Sequence, residues 1–390
     1  MPCVFTGLVI LNWICSATFV ASETLDDAKN LIKKKFQTDG YSKTLRPLLD
    51  QTDVVEVYTD MVLTSIIEFN EQEESMKIGG MLHISWYDQL LTWNTSDYGG
   101  LDYLTLPQND VWRPDVALHN SFKTFTGLGS SKLLLRVYYT GEVYWRPYQI
   151  LEASCDVDIT YFPFDTQECP FKFSAWSYFK DEVRMIEGKK GIYLDEFEEN
   201  SRWSLVSTTA ESGKGDASVL IYKIKLKRKS IFYVFYIIIP IVLLSFLNVL
   251  TFVLTVSSGE RASYVVTVLL SLAVFLTIVS SEIPKNSNTL SILSVYMIAI
   301  IALSTAAIMT SMLESRLASR DKYTDSIGSG YITFYRLVRI CQCKCNDKKR
   351  TADEIEWKDV VDALDYFLFW LFFVLTFVAT VVLFVMVNKR

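Results

Sequence analysis

The most informative pattern of apolar and polar positions lies between Glu260 and Glu282, where the chain reads ERASYVVTVLLSLAVFLTIVSSE. The twenty residues between Arg261 and Glu282 carry no charge, which is enough for an α-helix to cross a bilayer core of about 30 Å. Steps of three and four residues select one helical face, formed by Glu260, Ser263, Thr267, Leu270, Val274, Thr277 and Ser281. We call this face the polar stripe.

Two interpretations of the polar stripe are open. Small hydroxyl residues at this spacing occur where membrane helices pack closely against each other. A stripe that runs the full length of a span, with a carboxylate at one end and an apolar belt in the middle, is more typical of a water-filled pore. Since one helix cannot enclose a pore, the pattern predicts a channel lining shared by several copies of the chain.

Three more uncharged apolar stretches accompany the stripe, and each is long enough to span a membrane: Ile231–Val256, Thr289–Leu313 and Tyr366–Val387. The apolar excess is concentrated in the last 160 residues or so, so the chain divides into a soluble part and a four-span membrane part. The net charge of −6 is mild and does not indicate nucleic-acid binding.

The apolar run at residues 4–20 predicts a signal peptide over residues 1–22, with Val20-Ala21-Ser22 as the cleavage site. It places residues 23–229 outside the cell and residues 230–313 in the first three spans. Residues 314–365, which carry ten Lys and Arg, follow as a cytoplasmic loop. Residues 366–390 form the fourth span and an extracellular C-terminus, and Asn94 begins a glycosylation sequon in the exterior part.

Cysteine usage agrees with a secreted exterior domain. Cys155 and Cys169 form an isolated pair, which predicts one disulfide. The cluster of Cys341, Cys343 and Cys345 lies in the predicted cytoplasmic loop, where a metal site, palmitoylation and plain reduced thiols all remain open.

The exterior part begins with an amphipathic helix at Leu25–Phe36 and then changes to short β-rich runs. Examples are VVEVY, MLHISW and EVYWRPYQI, which are separated by turn signals such as Thr140-Gly141. Many short strands without helical crossovers predict an all-β sandwich, followed by an all-α four-helix transmembrane bundle.

The segment from Cys155 to Cys169, CDVDITYFPFDTQEC, resembles the signature loop of the Cys-loop pentameric ligand-gated ion channels, particularly the nicotinic acetylcholine receptor branch. The WRPD motif at Trp112–Asp115, Pro240 in the first span and the polar stripe occur in the same order as in that family. The resemblance implies a homo- or hetero-pentamer of like subunits in the plasma membrane. A small-molecule agonist would bind between the exterior domains and open a pore lined by the second span.

The resemblance also implies a coupling region between the two domains. The loop tip of Phe162, Pro163, Phe164 and Asp165 would rest on the link between the second and third spans, Ile283–Thr289. Glu71 would face Arg228 just before the first span, as a charge pair that biases the position of the domains. Two solvated surface charges of little energetic weight are the alternative for this pair.

The predicted agonist pocket departs from the family. Trp176 matches the central tryptophan of an aromatic box that attracts quaternary ammonium groups, although core packing is its alternative role. His119 and Met81 stand where the family offers a tyrosine and a tryptophan. The loop Ser207–Leu220 lacks the adjacent cysteine pair, and Trp145 and Arg146 lie on the strand expected to face the pocket from the next subunit. These differences argue against acetylcholine as the agonist.

The polar stripe suggests how ions would be selected and stopped. Five copies of Glu260 would form a carboxylate ring that attracts monovalent cations at the cytosolic mouth, provided that Arg261 turns away from the axis. Leu270 and Val274 would form two apolar rings that act as the gate, unless Leu270 instead packs against a neighbouring helix. The acids of the amphipathic segment Thr351–Asp365 would line the inner exit or form a solvated face.

No enzyme signature competes with a channel. His83 and His119 are the only histidines, and the sequence has no Gly-rich phosphate loop and no metal-ligand spacing, so we expect no catalytic site, cofactor or metal. Two other classes remain as alternatives: an accessory subunit without its own agonist site, and a membrane-anchored binding or adhesion module.

Overall fold

The computed structural model describes residues 23–125, 127–213, 215, 218–256, 259–283, 290–320, 326–342 and 355–388. The predicted signal peptide, most of the predicted Ile283–Thr289 link, and Cys343 and Cys345 lie outside these ranges.

The exterior part begins with helix α1, Leu25–Ile32, which continues as a π-helical turn over Lys33–Thr38. Thr24 caps α1, because its hydroxyl accepts a hydrogen bond from the Asp27 backbone N–H while the Asp27 carboxylate accepts one from the Thr24 N–H. The predicted helix at Leu25–Phe36 is thereby confirmed.

Two β-sheets follow, as the run of short β-rich segments predicts. The described strands are Val55–Asn70 (β1), Ser75–Tyr87 (β2), Tyr103–Pro107 (β3), Val116–Leu118 (β4), Leu134–Tyr138 (β5), Glu142–Trp145 (β6), Tyr148–Ser154 (β7), Thr166–Ala175 (β8), Val183–Tyr193 (β9), Trp203–Ser212 (β10) and Val219–Arg228 (β11). One sheet has the order β3-β5-β6-β2-β1-β9, with β7 also paired to β2, and the other has the order β10-β11-β8-β4. The strands pair antiparallel except β1 with β9. The predicted β-sandwich is confirmed.

Alternation along the strands separates a buried face from an accessible one. In β2, Ile84 and Trp86 are buried, whereas His83 and Ser85, at the alternate positions, are only half-buried. The disulfide between Cys155 and Cys169 lies in the same core. The side chains at the alternate, accessible positions can therefore act as binding groups that the sheet holds in place.

Four of the described helices are long and apolar enough to cross a membrane: Ile231–Val253 (α2), Arg261–Glu282 (α3), Ile292–Ala318 (α4) and Trp357–Asn388 (α6). Between α4 and α6 lies a shorter helix, Ser329–Cys341 (α5). Helix α3 packs against its own subunit along one stripe, which consists of Arg261, Val265, Val268, Leu272 and Val279. We call this the buried stripe.

The fourth span differs from its prediction. The amphipathic segment Thr351–Asp365 and the span from Tyr366 were expected to be separate elements, but α6 runs unbroken from Trp357. The sequence there contains no Pro or Gly that would break a helix. Val360 and Ala363, on the apolar face of this segment, are buried against Tyr335 and Val338 of α5, a helix that the sequence analysis did not predict.

The disulfide generates a first prediction. Replacing both Cys155 and Cys169 by Ser is expected to lower the free energy of unfolding by about 3 kcal/mol, because the unfolded chain loses a cross-link that closes a short loop. Thermal unfolding of the detergent-solubilised protein and surface labelling would measure the effect. Cys341→Ser, at an exposed free thiol, is the matched control and should change neither the unfolding temperature nor the amount of protein at the surface. An unchanged unfolding temperature in the double variant would contradict the stabilising role.

Candidate ligand faces, domain junction and ion pathway

An exposed aromatic cluster lies at the end of β8. Trp176 is 54% exposed, and its ring lies 5.7 Å from that of His119 and 5.0 Å from that of Phe125, measured between centroids. The Trp176 backbone N–H donates to the Asp115 carbonyl at 3.2 Å, which fixes the backbone that carries the indole. The interpretation of Trp176 as a core residue is wrong, since more than half of it is accessible. Phe125 was missed because it lies in a loop without a recognisable motif.

The segment Ser207–Leu220 is mostly strand rather than loop. Strand β10 continues to Ser212 and β11 begins at Val219, so only residues 213–218 lie between the two strands. The Gly213 N–H donates to the Val219 carbonyl at 2.7 Å and closes this hairpin.

A second candidate surface is a cavity of about 580 Å³ on the accessible side of the larger sheet. His83 from β2, Tyr144 from β6 and the adjacent Arg146 line it, together with Tyr58, Asp60, Ser85, Tyr87, Glu142, Glu187, Lys189 and Tyr193. Arg146 therefore has the accessible position that the sequence predicts. Met81 is half-buried on the same face of β2, two residues before His83, outside this lining.

The prediction for Trp145 is wrong. Its side chain is only 2% exposed, and its indole N–H donates to Gln108 Oε1 at 2.9 Å inside the core. The Arg113 guanidinium lies 5.1 Å from the ring centroid. The alternation of β6 explains the error, because a strand turns consecutive side chains to opposite faces, so that Tyr144 rather than Trp145 reaches the cavity.

The cavity brings groups of both charges next to aromatic rings. Asp60 Oδ1 accepts hydrogen bonds from the backbone N–H groups of Gly191 at 2.7 Å and Lys190 at 3.2 Å, which anchors β9 to β1. His83 lies 5.7 Å from the Tyr193 ring, and its buried Nε2 atom has no hydrogen-bond partner among the described residues. Burial, reinforced by the positive charge of Arg146, lowers the pKa of His83, which favours the neutral imidazole.

The domain junction is built around Arg228, whose side chain is 3% exposed. Its Nη1 atom lies 2.6 Å from Glu71 Oε1, which confirms the predicted contact and excludes two separate solvated charges. Asp165, which is equally buried, binds the same guanidinium through two bonds, from Nε to Oδ1 at 2.7 Å and from Nη2 to Oδ2 at 3.0 Å. Burial alone would lower the pKa of Arg228, but Asp165 and Glu71 outweigh burial and raise it above its usual value.

Aromatic rings complete the junction and connect it to the membrane helices. The Arg228 guanidinium lies 4.3 Å from the Trp203 ring centroid and 5.0 Å from that of Phe162. Phe162 in turn meets Tyr233 of α2 at 5.1 Å in an edge-to-face contact. At the loop tip, Pro163 is buried and Phe164 is half-buried.

Two further contacts link the β-domain with the helices. The Ile292 N–H, at the start of α4, donates to the Thr160 carbonyl at 3.0 Å. The Gln72 side-chain amide, between β1 and β2, donates to the Ser281 carbonyl at the end of α3. The β-domain thus touches the outer ends of α2, α3 and α4.

The polar stripe of α3 is accessible along its whole length. All seven residues are exposed, with Leu270 at 64% and Val274 at 51%, while the buried stripe faces the rest of the subunit. The hydroxyls of Thr267, Thr277 and Ser281 donate to carbonyls of their own helix. This satisfies the donors and leaves oxygen lone pairs pointing outward. At 64% exposure, the Leu270 side chain is left mostly uncovered by the described residues of its own chain.

At the cytosolic end, Arg261 turns into the subunit, as the sequence analysis required. Its side chain is 3% exposed, with Nη1 at 2.6 Å from Asp365 Oδ1 and Nη2 paired with Glu314. Glu260, the neighbouring residue, is exposed. On the β-domain, Asn94 of the sequon is also exposed, and its side-chain oxygen caps the short 3₁₀-helix Thr95–Tyr98.

The comparisons with known proteins agree with this architecture. The family model for the neurotransmitter-gated ion-channel ligand binding domain matches residues 28–230, and that for the transmembrane region matches residues 237–330. The chain is 32% identical to Acetylcholine receptor subunit beta-like 1 of Drosophila melanogaster over 316 residues, which are 77% of this chain and 60% of that protein. It is 30% identical to the human Neuronal acetylcholine receptor subunit beta-3 over 330 residues, or 83% of this chain and 71% of that protein.

A third relative is Acetylcholine receptor subunit delta of Gallus gallus, 31% identical over 327 residues, or 78% of this chain and 62% of that protein. The chain thus spans 60 to 71% of the length of these relatives. Such proteins are membrane proteins with an exterior ligand-binding domain, and their family is one of ion channels rather than enzymes. The chain belongs to the neurotransmitter-gated ion channel family, on its nicotinic acetylcholine receptor branch.

Proposed function

We propose that the chain is one subunit of a pentameric, cation-selective channel that a small-molecule agonist opens. The observation that carries the proposal is the exposure of the whole polar stripe on α3. In a bilayer, hydroxyls and a carboxylate on an exposed face need water or another polar surface. Five copies of α3 around an axis would give that face a shared aqueous pore, through which monovalent cations would pass.

The agonist site is proposed to form between two neighbouring β-domains. The aromatic cluster of Trp176, His119 and Phe125 and the cavity around His83 and Arg146 lie on different sheets of one subunit. Each is an accessible half-site, and a pentamer would bring the cluster of one subunit towards the cavity of the next. The cavity places the cations Arg146 and Lys189 beside its aromatic rings, which disfavours a quaternary ammonium ion and supports a ligand other than acetylcholine.

Signal transmission is assigned to the junction. Arg228 joins the end of β11 to Glu71 and Asp165, while Phe162 of the loop tip packs on α2. A movement of the β-domain would carry this buried charge cluster with it and displace the outer ends of the helices.

The proposed topology follows the sequence-based boundaries. Residues 23–229 would lie outside the cell after removal of residues 1–22, residues 314–365 would be cytoplasmic, and the segment after the fourth span would be extracellular. In the plasma membrane, glycosylation at Asn94 would then mark the exterior face.

An accessory subunit is the second candidate. Of the aromatic residues that form the family's ligand box, the sequence clearly retains Trp176. This chain could therefore contribute the cavity around His83 and Arg146 to an agonist site whose aromatic half comes from another subunit. A simple membrane anchor is disfavoured, because anchoring helices need no exposed row of hydroxyls.

Ion selection gives the next prediction. Glu260→Gln is expected to lower the sodium-to-chloride permeability ratio and the single-channel conductance, because the carboxylate ring at the cytosolic mouth is neutralised. Glu282→Gln, at the other end of α3 and off the polar stripe, is the matched control and should have the smaller effect. Wild-type reversal potentials that follow chloride instead of sodium would contradict cation selectivity.

Ligand recognition gives the third prediction. Acetylcholine at micromolar concentration should evoke no robust current from this chain expressed alone. For an agonist found by screening, Trp176→Ala should shift the half-maximal concentration upward by roughly tenfold or more, as expected for loss of an aromatic contact of about 2 kcal/mol. Phe179→Ala removes another exposed aromatic residue and serves as the control. An unchanged concentration–response curve for Trp176→Ala would remove this residue from the site.

The gate gives the fourth prediction. If Leu270 forms an apolar constriction, Leu270→Ser should favour the wetted, open state and give leak current or about tenfold higher agonist sensitivity, with normal surface expression. If Leu270 packs against a neighbouring helix instead, the same change should lower surface expression and leave gating unchanged. Val266→Ser, also exposed on α3 but off the polar stripe, is the control.

A further inference from the structure

A buried charge cluster joins three membrane helices at their cytosolic ends. Arg261 is the first residue of α3, Glu314 lies in the last part of α4, and Asp365 lies in α6. The guanidinium pairs with Glu314 through Nη2 and with Asp365 Oδ1 through Nη1 at 2.6 Å. The Arg261 side chain is 3% exposed and that of Glu314 is 1% exposed, so little water screens these charges.

The two carboxylates are the groups that hold the guanidinium in place. Its Nε atom is buried and has no hydrogen-bond partner among the described residues, and the contact of Nη1 with Asp365 is an ion pair without hydrogen-bond geometry. The Phe252 ring centroid lies 5.1 Å from the guanidinium. A cation buried without an opposite charge is strongly unfavourable and moves to water where its side chain can reach it.

Arg261 follows directly after Glu260, but the two residues lie on different faces of α3. Glu260 begins the exposed polar stripe and Arg261 begins the buried stripe, separated by about 100° of helix rotation. An Arg261 that left the buried side would therefore bring a positive charge next to the proposed carboxylate ring and weaken its attraction for cations.

We propose that Glu314 and Asp365 are positioning residues for ion selectivity, which hold Arg261 inside the bundle and keep its charge away from the Glu260 ring. The inference rests on the proposed function, since it requires Glu260 to face a cation pathway. It adds a role for residues of α4 and α6 that do not lie on the polar stripe. Five subunits would multiply the effect, because each released arginine would bring one positive charge towards the mouth of the pore.

The experiment uses the full chain and four channels: wild type, the double variant Glu314→Gln/Asp365→Asn, the single variant Arg261→Gln, and the triple variant that combines all three changes. Reversal potentials in a NaCl gradient and single-channel conductance would be measured for each, together with surface expression. The double variant is expected to lower the sodium-to-chloride permeability ratio by about threefold or more and to reduce inward conductance. Arg261→Gln alone should remain cation-selective, and the triple variant should recover the wild-type ratio.

Comparing these four channels distinguishes a positioning role of Glu314 and Asp365 from a purely structural one. Loss of packing alone would lower expression without changing which ion permeates, and Arg261→Gln would not reverse it. The inference is overturned if the double variant conducts with wild-type selectivity, or if the triple variant stays as unselective as the double variant.

Two further observations keep the test decisive. If the double variant does not reach the surface, Asp365→Asn alone can be used, because it keeps the Arg261–Glu314 pair. It should lower the sodium-to-chloride permeability ratio by a smaller amount. Normal surface expression of Asp365→Asn with wild-type selectivity would overturn the inference. If the wild-type channel itself follows chloride, the proposed cation selectivity fails first, which is distinguishable from a failure of the positioning role.

Discussion

The arrangement depends on one constraint, which is that α3 exposes a carboxylate, hydroxyls and an apolar belt along a single face. Hydrocarbon cannot satisfy the Glu260 carboxylate at the end of this face, and the rest of the subunit packs mainly on the opposite side, along the buried stripe. A single chain therefore leaves a membrane helix with an unfavourable surface. The proposed pentamer resolves this conflict by turning the face towards water that five subunits share.

Two buried arginines lie at opposite ends of the membrane bundle and bind it together in similar ways. At the outer end, Arg228 binds Asp165 and Glu71 at the junction with the β-domain. At the cytosolic end, Arg261 binds Glu314 and holds α3 to α4 and α6. Each arginine connects separate elements of the fold, and the two lie near opposite ends of the helix that we propose lines the pore. Agonist binding would act on the first, whereas ion selection would depend on the second.

The sequence predicts the β-sandwich and the four spans, because periodicity and apolar run length are local signals, whereas the Glu71–Arg228 contact was implied only by the resemblance to the Cys-loop family. It fails where burial depends on the tertiary fold. Trp145 was assigned to the pocket although the pleat of β6 turns it into the core. The partners of Arg261 were not foreseen, because Glu314 is 53 residues away in sequence and no local pattern links them. No local pattern identifies the agonist, since the site that we propose for it is shared by two subunits.

The most direct test of the proposed pore is the accessibility of single cysteines introduced along α3 to charged thiol reagents during channel activity. We expect modification to block current at Ser263, Thr267 and Thr277 on the polar stripe, and to leave current unchanged at Val265 and Val268 on the buried stripe. Block at the buried positions, or equal reactivity on both faces, would contradict the assignment of the polar stripe to the ion pathway.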